Sequence, residues 1–346
     1  MSPPAAPPAS ASDALTPPDP AAVARFAADL GRLFAEAAGE DLPAGATIAL
    51  AVSGGADSMA MLLLAAAALP GDVVAATVDH GLRPEAADEA ALVAAVCARL
   101  GVPHATLAPP APITGSSVQR GAREARYTAL TAWVEASGAS ALLTGHHADD
   151  QAETLLMRLN RASGVAGLSG IRPWRFKADT LVLRPLLAWR RSELRAIAAE
   201  AAMPWVEDPS NADPRHDRTR FRALLAGQDL LDPAGLARSA AYLGGAVAAL
   251  DALAETLRAE RWSPGKGLLR AADLPREMQR RLARAAIAAV RSTHAIAAPA
   301  FSDAANIEPL LDALAAGKAA TQAGVLVSPE RDGRWRFAPA PPRRSL

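Results

Sequence analysis

Short apolar runs alternate with longer amphipathic stretches through the first half of the chain. The run Thr47 to Val52 ends at Ser53-Gly54-Gly55, which reads as a buried strand entering a glycine turn. An apolar helix is predicted over Ser58–Leu69. The unit then repeats: strands over Val73–Asp79, His104–Ala108 and Ala141–Gly145 alternate with helices over Pro84–Leu100, Ser117–Ser137 and Ala148–Arg158. Strands alternating with helices of this length imply an α/β fold built on a parallel sheet covered on both faces. An earlier helix is predicted from Asp19-Pro20, a capping residue followed by proline at the first helical position, through about Ala38.

Beyond Asn160 the pattern changes. A glycine-rich connector (Gly164 to Gly170) precedes a strand-like Thr180–Leu183 and a helix from Ser192. Long helical patterns over Pro233–Trp262 and Leu274–His294 follow, and two β-like segments, Thr321–Val327 and Arg334–Phe337, close the chain. Three segments are therefore expected: a disordered tail over 1–19, an α/β domain over 20–228, and a smaller, mainly helical domain with short terminal strands over 229–340.

Composition narrows the class. Of 346 residues, 51% are hydrophobic, 21% charged and 4% aromatic, so the core has to be built largely from small aliphatic side chains. Formal net charge is zero, which argues against nucleic-acid binding by bulk charge but leaves local basic patches open. The single cysteine, Cys97, lies in an apolar helical pattern and reads as a buried thiol; it excludes a disulfide framework or a paired-cysteine metal site and suits a reducing cytoplasm. No transmembrane helix and no signal peptide are expected, since long apolar stretches are interrupted by charge and the Pro/Ala/Ser-rich N-terminus lacks a basic region.

In parallel sheets ligands bind beyond the C-terminal strand ends. There the sequence sets Ser53-Gly54-Gly55-Ala56-Asp57-Ser58, Val78-Asp79-His80 and Gly145-His146-His147. A glycine pair between a strand and a helix N-terminus lets backbone N–H groups face an anion. An ordinary strand–turn–helix connection would have the same glycines. The loop fits neither the Walker A nor the GxGxxG pattern. Asp149 and Glu153 are four residues apart and Asp150 and Glu153 three, so on a helix their charges repel unless a cation lies between; acidic enrichment of a first helical turn is the alternative. Arg123 and Arg126 lie one helical turn apart, and His216, Arg218, Arg220 and Arg222 form a basic cluster suited to a phosphate backbone or to a solvated helix face.

Ser-Gly-Gly-Xaa-Asp-Ser after a first strand resembles the PP-loop of the N-type ATP pyrophosphatases, which cleave ATP between the α and β phosphates. Five further segments narrow the resemblance: Val78 to Arg83, Ala122 to Tyr127, Thr144 to Thr154, Arg184 to Leu187, and Trp205 to Asn211. Together, over about residues 47 to 225, they resemble the tRNA(Ile)-lysidine synthetases. The resemblance implies a PP-loop domain of the adenine nucleotide alpha hydrolase type. It also implies ATP and Mg²⁺ as co-substrate and cofactor, a tRNA(Ile) with a CAU anticodon and free L-lysine as partners, and action in the cytoplasm without a membrane. A homodimer is compatible with it.

By the same resemblance, Ser53, Gly54, Gly55, Ala56, Asp57, Ser58, Val78, Asp79, His80, Gly145 and His146 hold the nucleotide. Asp57, His146, Asp149, Asp150 and Glu153 are the expected catalytic set, with Asp57 and Asp149 as Mg²⁺ ligands and Asp149, Asp150 and Glu153 otherwise a seat for lysine's ammonium. His146 or His147 is a phosphate donor, a proton shuttle or a structural hydrogen-bonding group. Arg123, Arg126, Arg184, Glu207, Asp208, Arg218, Arg220 and Arg222 are expected on the tRNA side. Trp205 reads as a packing residue. The tRNA thiolases of the same superfamily are a rival, but their cysteine pairs are missing here; a non-catalytic nucleotide- or tRNA-binding module is the rival from another class.

Overall fold

The structure, a computed structural model, describes residues 15–79, 86–109, 118–207, 217–302 and 305–341. The expected nucleotide ligand His80, the expected tRNA contact Asp208, and His216 lie outside these residues. The chain divides into two compact units, residues 1–244 and 245–346.

The first unit begins with α1 (Pro20–Ala38), capped by the Asp19 side chain and by Gly39 in a left-handed conformation. Then come β1 (Ile48–Ala51), α2 (Ala56–Ala68), β2 (Val73–Val78), α3 (Ala86–Arg99), β3 (His104–Leu107), α4 (Val118–Ser137), β4 (Ala141–Thr144) and α5 (Ala148–Leu159). A one-turn α6 (Val165–Leu168) leads to β5 (Trp174–Lys177), β6 (Thr180–Leu183), α7 (Arg191–Glu200) and α8 (Asp217–Ala226). The sheet order is β3-β2-β1-β4-β6-β5. Five strands run parallel, and β5 joins the β6 edge antiparallel. The α/β expectation therefore holds, with an edge hairpin that the sequence pattern did not announce.

Strand side chains alternate between faces. Ile48 and Leu50 of β1 join a core with Phe26 and Leu30 of α1, the apolar face of α2, and Val93 and Cys97 of α3. Ala49 and Ala51 face the other way, where Ala76, Leu142 and Val182 meet Tyr127, Leu130 and Val134 of α4. The small side chains there leave room for α4. Cys97 is fully buried and its thiol is pushed up to about 12 by burial, which fits a packing role.

Trp189 ties the elements around the site together. It is fully buried, donates from Nε1 to Asp29 Oδ2 at 3.0 Å, and lies 3.9 Å beneath the Arg25 guanidinium. Its carbonyl accepts from the amide of Ala148, the first residue of α5, at 2.8 Å. One side chain thus packs against α1 while its backbone fixes the start of the acidic helix.

The helix α9 (Pro233–Arg261) starts in the first unit and runs into the second. Its Ala-rich stretch is long and apolar enough to match a membrane span by length and composition, the one such helix among the described residues. Alanine rather than leucine supplies that hydropathy, and Arg238, Asp251 and Glu255 interrupt it. The second unit adds β7 (Trp262–Ser263), β8 (Leu268–Leu269), α10 (Arg276–Thr293), α11 (Glu308–Ala315), β9 (Ala320–Gln322), β10 (Val325–Pro329) and β11 (Trp335–Pro339). Its helices pack Leu282, Ile287, Leu310 and Leu311 against Val325, Val327, Trp335 and Phe337 of a sheet ordered β7-β8-β11-β10-β9. The single segment expected over Thr321–Val327 is a hairpin instead, because Ala323 and Gly324 both take positive φ and turn the chain.

Replacing Trp189 with Ala is expected to lower unfolding free energy by about 3–5 kcal/mol, the usual cost of deleting a buried ring. Trp189→Phe should cost about 1–2 kcal/mol for the lost N–H and smaller ring. Urea unfolding midpoints check both, and an unchanged midpoint for Trp189→Ala would remove Trp189 as the tie.

Candidate functional site

The sheet reverses direction of winding between β1 and β4, which are neighbours although two βα units separate them in sequence. A switch point of this kind opens a crevice at the strand ends. The loop after β1 carries Ser53 to Asp57, and the loop after β4 carries Gly145 to His147. They are pressed together: a Cβ on Gly145 would stand 3.3 Å from Ser58 Cα, so a larger residue would push the β4 loop off the first turn of α2 by a few tenths of an ångström. Gly54 takes φ +83°, and its carbonyl accepts from Val206 N at 2.9 Å. Ser58 holds the loop from inside. Its Oγ donates to Gly55 O at 2.9 Å and accepts from Ser53 N at 3.1 Å.

A cavity of about 470 Å³ opens at this point. Ser53, Gly55, Asp57 and Ser58 line it with Thr144, Gly145, His146, His147 and Asp150 from the β4 side. Arg123, Arg126 and Tyr127 enter from α4, Arg191 from α7, and Arg218 and Arg222 from α8. The guanidinium groups outnumber the carboxylates, as an anionic ligand requires.

His147 is the hub. It is 2% exposed and is the N-cap of α5, with the Asp150 carboxylate accepting from its backbone N at 3.1 Å. Its Nε2 lies 3.4 Å from Asp57 Oδ2 and 3.6 Å from Asp150 Oδ2, and its Nδ1 3.7 Å from Asp149 Oδ2. Burial opposes the charged ring, but the bond to Asp57 and the charges of Asp150, Asp57 and Asp149 outweigh it, so the imidazole pKa is raised. In the neutral ring Nδ1 accepts from Asp150 N at 3.4 Å; protonation gives that contact up for the carboxylates. His146 is the reverse case. Burial, helped by Arg184, Arg218 and Arg123 against the pull of Asp150, drives its pKa down to about 3, and its Nδ1 pairs with Thr144 Oγ1 at 3.0 Å.

The acidic residues of α5 find their cations on neighbouring helices. Asp149 accepts from Arg190 Nε and Nη2 at 3.2 and 3.1 Å and from Arg191 N at 2.8 Å. Arg218 donates to Glu153 at 2.7 Å and to Asp150 at 2.8 Å, and Arg222 donates to Glu153 at 2.7 Å. The like charges that spacing alone made unfavourable are therefore relieved by α8, the basic segment. Burial pushes the Asp149 and Asp150 pKa values up, but Arg190 for the first and His147 with Arg218 for the second bring them below the ordinary carboxylate value.

Among the described residues that line the cavity, two buried atoms lack a hydrogen-bond partner. Asp57 Oδ1 is buried without a hydrogen-bond partner. Arg191 Nε is likewise unpartnered and stands 3.9 Å from Asp57 Oδ2. Burial, and the Arg123 charge beside it, set the Arg126 guanidinium below the ordinary arginine value against a partial offset from Tyr127. Around Tyr127, Arg175 and Arg123 lie over the ring at 4.7 and 5.6 Å.

Of the residues expected from sequence, Ser53, Gly55, Asp57, Ser58, Gly145, His146, Asp150, Arg123, Arg126, Arg218 and Arg222 line the cavity. Gly54 and Ala56 shape the loop, while Asp149 and Glu153 sit behind it in ion pairs. Val78 and Asp79 end β2 without lining the cavity. Arg184 is buried, donating to Arg172 O at 2.6 Å; Arg220 is exposed; Glu207 pairs with Arg195 beside a smaller cavity. Arg190, Arg191 and Thr144 were not singled out. Their one signal was an arginine pair next to a helix start, where the dipole disfavours cations.

A family model for the PP-loop domain matches residues 24–228. A tRNA(Ile)-lysidine synthase of Novosphingobium aromaticivorans is 43% identical over 309 residues, covering 86% of this chain and 90% of that protein. The tRNA(Ile)-lysidine synthase of Zymomonas mobilis is 39% identical over 327 residues, covering 90% and 95%. Among solved structures, the U34-tRNA thiolase NcsA from Methanococcus maripaludis aligns with a TM-score of 0.51 at 15% identity over 64% of this chain and 78% of its own, a likeness of fold. With the motif-bearing loops gathered around one cavity and relatives matched over nearly their whole length, the chain belongs to the tRNA(Ile)-lysidine synthase family and carries its ATP-using PP-loop domain.

Proposed function

We propose that this cavity adenylates O2 of the wobble cytidine in a CAU-anticodon tRNA(Ile) and then delivers free lysine to the activated carbon, releasing AMP. The product, lysidine, turns an AUG-reading anticodon into one that reads AUA. The observation that carries the proposal is the junction of the Ser53–Ser58 loop with the Gly145–Asp150 segment at the β1/β4 switch point. The first is an anion cradle, the second an acidic helix start, and adenylation followed by amine attack needs both. The reaction belongs to the cytoplasm, where its tRNA is.

In the first step the cytidine oxygen bonds to the α phosphorus as pyrophosphate departs. Ser53 and the amides of the Gly54-Gly55 turn bind the phosphates, while Arg123 and Arg126 meet phosphate charge from the α4 side. Asp57 fits a Mg²⁺ ligand, since its Oδ1 is buried without a partner, whereas both oxygens of Asp149 already accept from Arg190 and the Arg191 amide. When bound, the ion neutralises polyphosphate charge. Among the described residues no cluster of three or more His, Cys, Asp or Glu forms a closed metal cage, in keeping with a cation held by one carboxylate and the nucleotide.

In the second step the amine displaces AMP. The run Asp150–Arg218–Glu153–Arg222 alternates sign and matches a zwitterion, with Asp150 toward the ammonium and Arg218 toward the carboxylate. His146 suits a hydrogen-bonding role, because a base whose pKa lies near 3 takes up few protons at neutral pH.

Purified enzyme is expected to release pyrophosphate and incorporate labelled lysine only with unmodified CAU-anticodon tRNA(Ile); turnover independent of that tRNA would defeat the proposal. Asp57→Asn should reduce pyrophosphate release about 100-fold or more while the thermal unfolding curve stays cooperative. Wild-type release by that variant would take Asp57 out of the site.

Two of the arginines of α8, Arg218 and Arg220, should separate. Arg220→Ala, an exposed position, is expected to flatten the slope of log binding constant against log salt by about 0.7–0.9. Arg218→Ala should instead cost about 1–3 kcal/mol in stability by leaving carboxylates on α5 short of a donor. Filter binding over a salt series and urea unfolding read these out; equal behaviour of the two variants would contradict the assignment.

A further inference from the structure

Arg190 and Arg191 open α7, where unpaired amides already place partial positive charge and a further cation is disfavoured. Arg190 is accounted for by its two bonds to Asp149. Arg191 is not. Its backbone N donates to Asp149 Oδ2 at 2.8 Å, but its guanidinium makes no hydrogen bond to any described residue, and its Nε is buried without a partner. The Asp57 carboxylate, 3.9 Å away, is within electrostatic reach but beyond hydrogen-bond distance.

The placement of Arg191 is specific. Beside the large cavity lies a smaller one of about 110 Å³, and among the described residues Ser53, Gly55, Asp57 and Arg191 alone line both. Those four residues mark the ground that the two cavities share: the phosphate-binding loop on one side, one guanidinium on the other. Farther into the small cavity Arg195 is paired with Glu207 at 2.7 Å, and Glu89 adds a second carboxylate. Among the described residues that line the shared ground, Arg191 is the one cation, and its guanidinium makes no hydrogen bond to any of them.

We infer that Arg191 is a catalytic residue of the adenylation step, binding the pyrophosphate end of ATP opposite the Ser53–Gly55 turn. The inference rests on the functional reading above. As the cytidine oxygen forms its bond to the α phosphorus, the bond from that phosphorus to the α–β bridging oxygen breaks. The bridging oxygen keeps the electron pair and leaves as pyrophosphate. Negative charge grows on the leaving group during this step, and a planar guanidinium with five donors can fork onto two of its oxygens. Such a donor stabilises the departing group more than the ground state. It has no part in the later attack of lysine, which displaces AMP.

The test compares wild type, Arg191→Ala and Arg191→Lys as full-length enzymes with CAU-anticodon tRNA(Ile). Single-turnover pyrophosphate release should fall about 100-fold in Arg191→Ala and recover in part in Arg191→Lys. The inhibition constant for added inorganic pyrophosphate should rise about tenfold or more, the loss of one charge-assisted hydrogen bond, while inhibition by AMP stays unchanged. Pyrophosphate inhibition equal to wild type would overturn the inference. So would AMP inhibition weakening in step with pyrophosphate, since Arg191 would then be shaping the whole pocket. If Arg191→Ala loses its cooperative melt, Arg191→Gln takes its place in the same comparison. Should wild type itself release no pyrophosphate, the functional reading fails instead, and calorimetric titration of inorganic pyrophosphate into wild type and variant still decides Arg191.

Discussion

A protonated imidazole can be buried only where its charge is met, and at the head of α5 three carboxylates meet it. His147 caps the helix, and its ring lies within 3.4–3.7 Å of oxygens from Asp57, Asp150 and Asp149. Because those carboxylates come from two loops, the one ring joins the loop after β1 to the loop after β4. The same contact orients Asp57 so that one oxygen faces His147 and the other is left without a partner. The sign of the linkage follows. A His pKa raised in the folded state contributes stability that is full below the ordinary value and is lost as pH rises through the folded value.

Around that ring the charges alternate outward. Asp149 is answered by Arg190, Asp150 by Arg218, and Glu153 by Arg218 and Arg222. Each helix start or end that reaches the cavity thus brings its own counter-charge from another element. The groups left over, Asp57 Oδ1 and Arg191 Nε, border the cavity without a hydrogen-bond partner among the described residues. Binding and fold are built from the same ion pairs, so the site cannot be emptied of charge without loosening the loops that form it.

The fold of the first unit was legible because its parallel strands are buried on both faces and read as short apolar runs between glycine turns. The Ser53–Ser58 and Gly145–His147 loops were legible because they follow such strands. The edge strand Trp174–Lys177 was not: it alternates aromatic and basic residues, pairs on one side only, and gives no apolar run. The partners of Glu153 were hidden for another reason, since Arg218 lies 65 residues away in sequence and only the fold brings α8 onto α5. Arg191 carried a weak local signal that gains meaning from the fold, which sets α7 against the Ser53–Ser58 loop. In the C-terminal segment, positive φ at an alanine, Ala323, turned one expected strand into two.

The central claim is that the buried His147 ring binds the two segments together through carboxylates that favour its protonated form. Long-range ¹H–¹⁵N correlation spectra of the enzyme labelled at histidine, assigned with a His147→Asn variant and followed from acid to alkaline pH, test it directly. The account predicts that the His147 ring titrates with a midpoint above the ordinary histidine value of about 6.5. A midpoint at or below that value would contradict it.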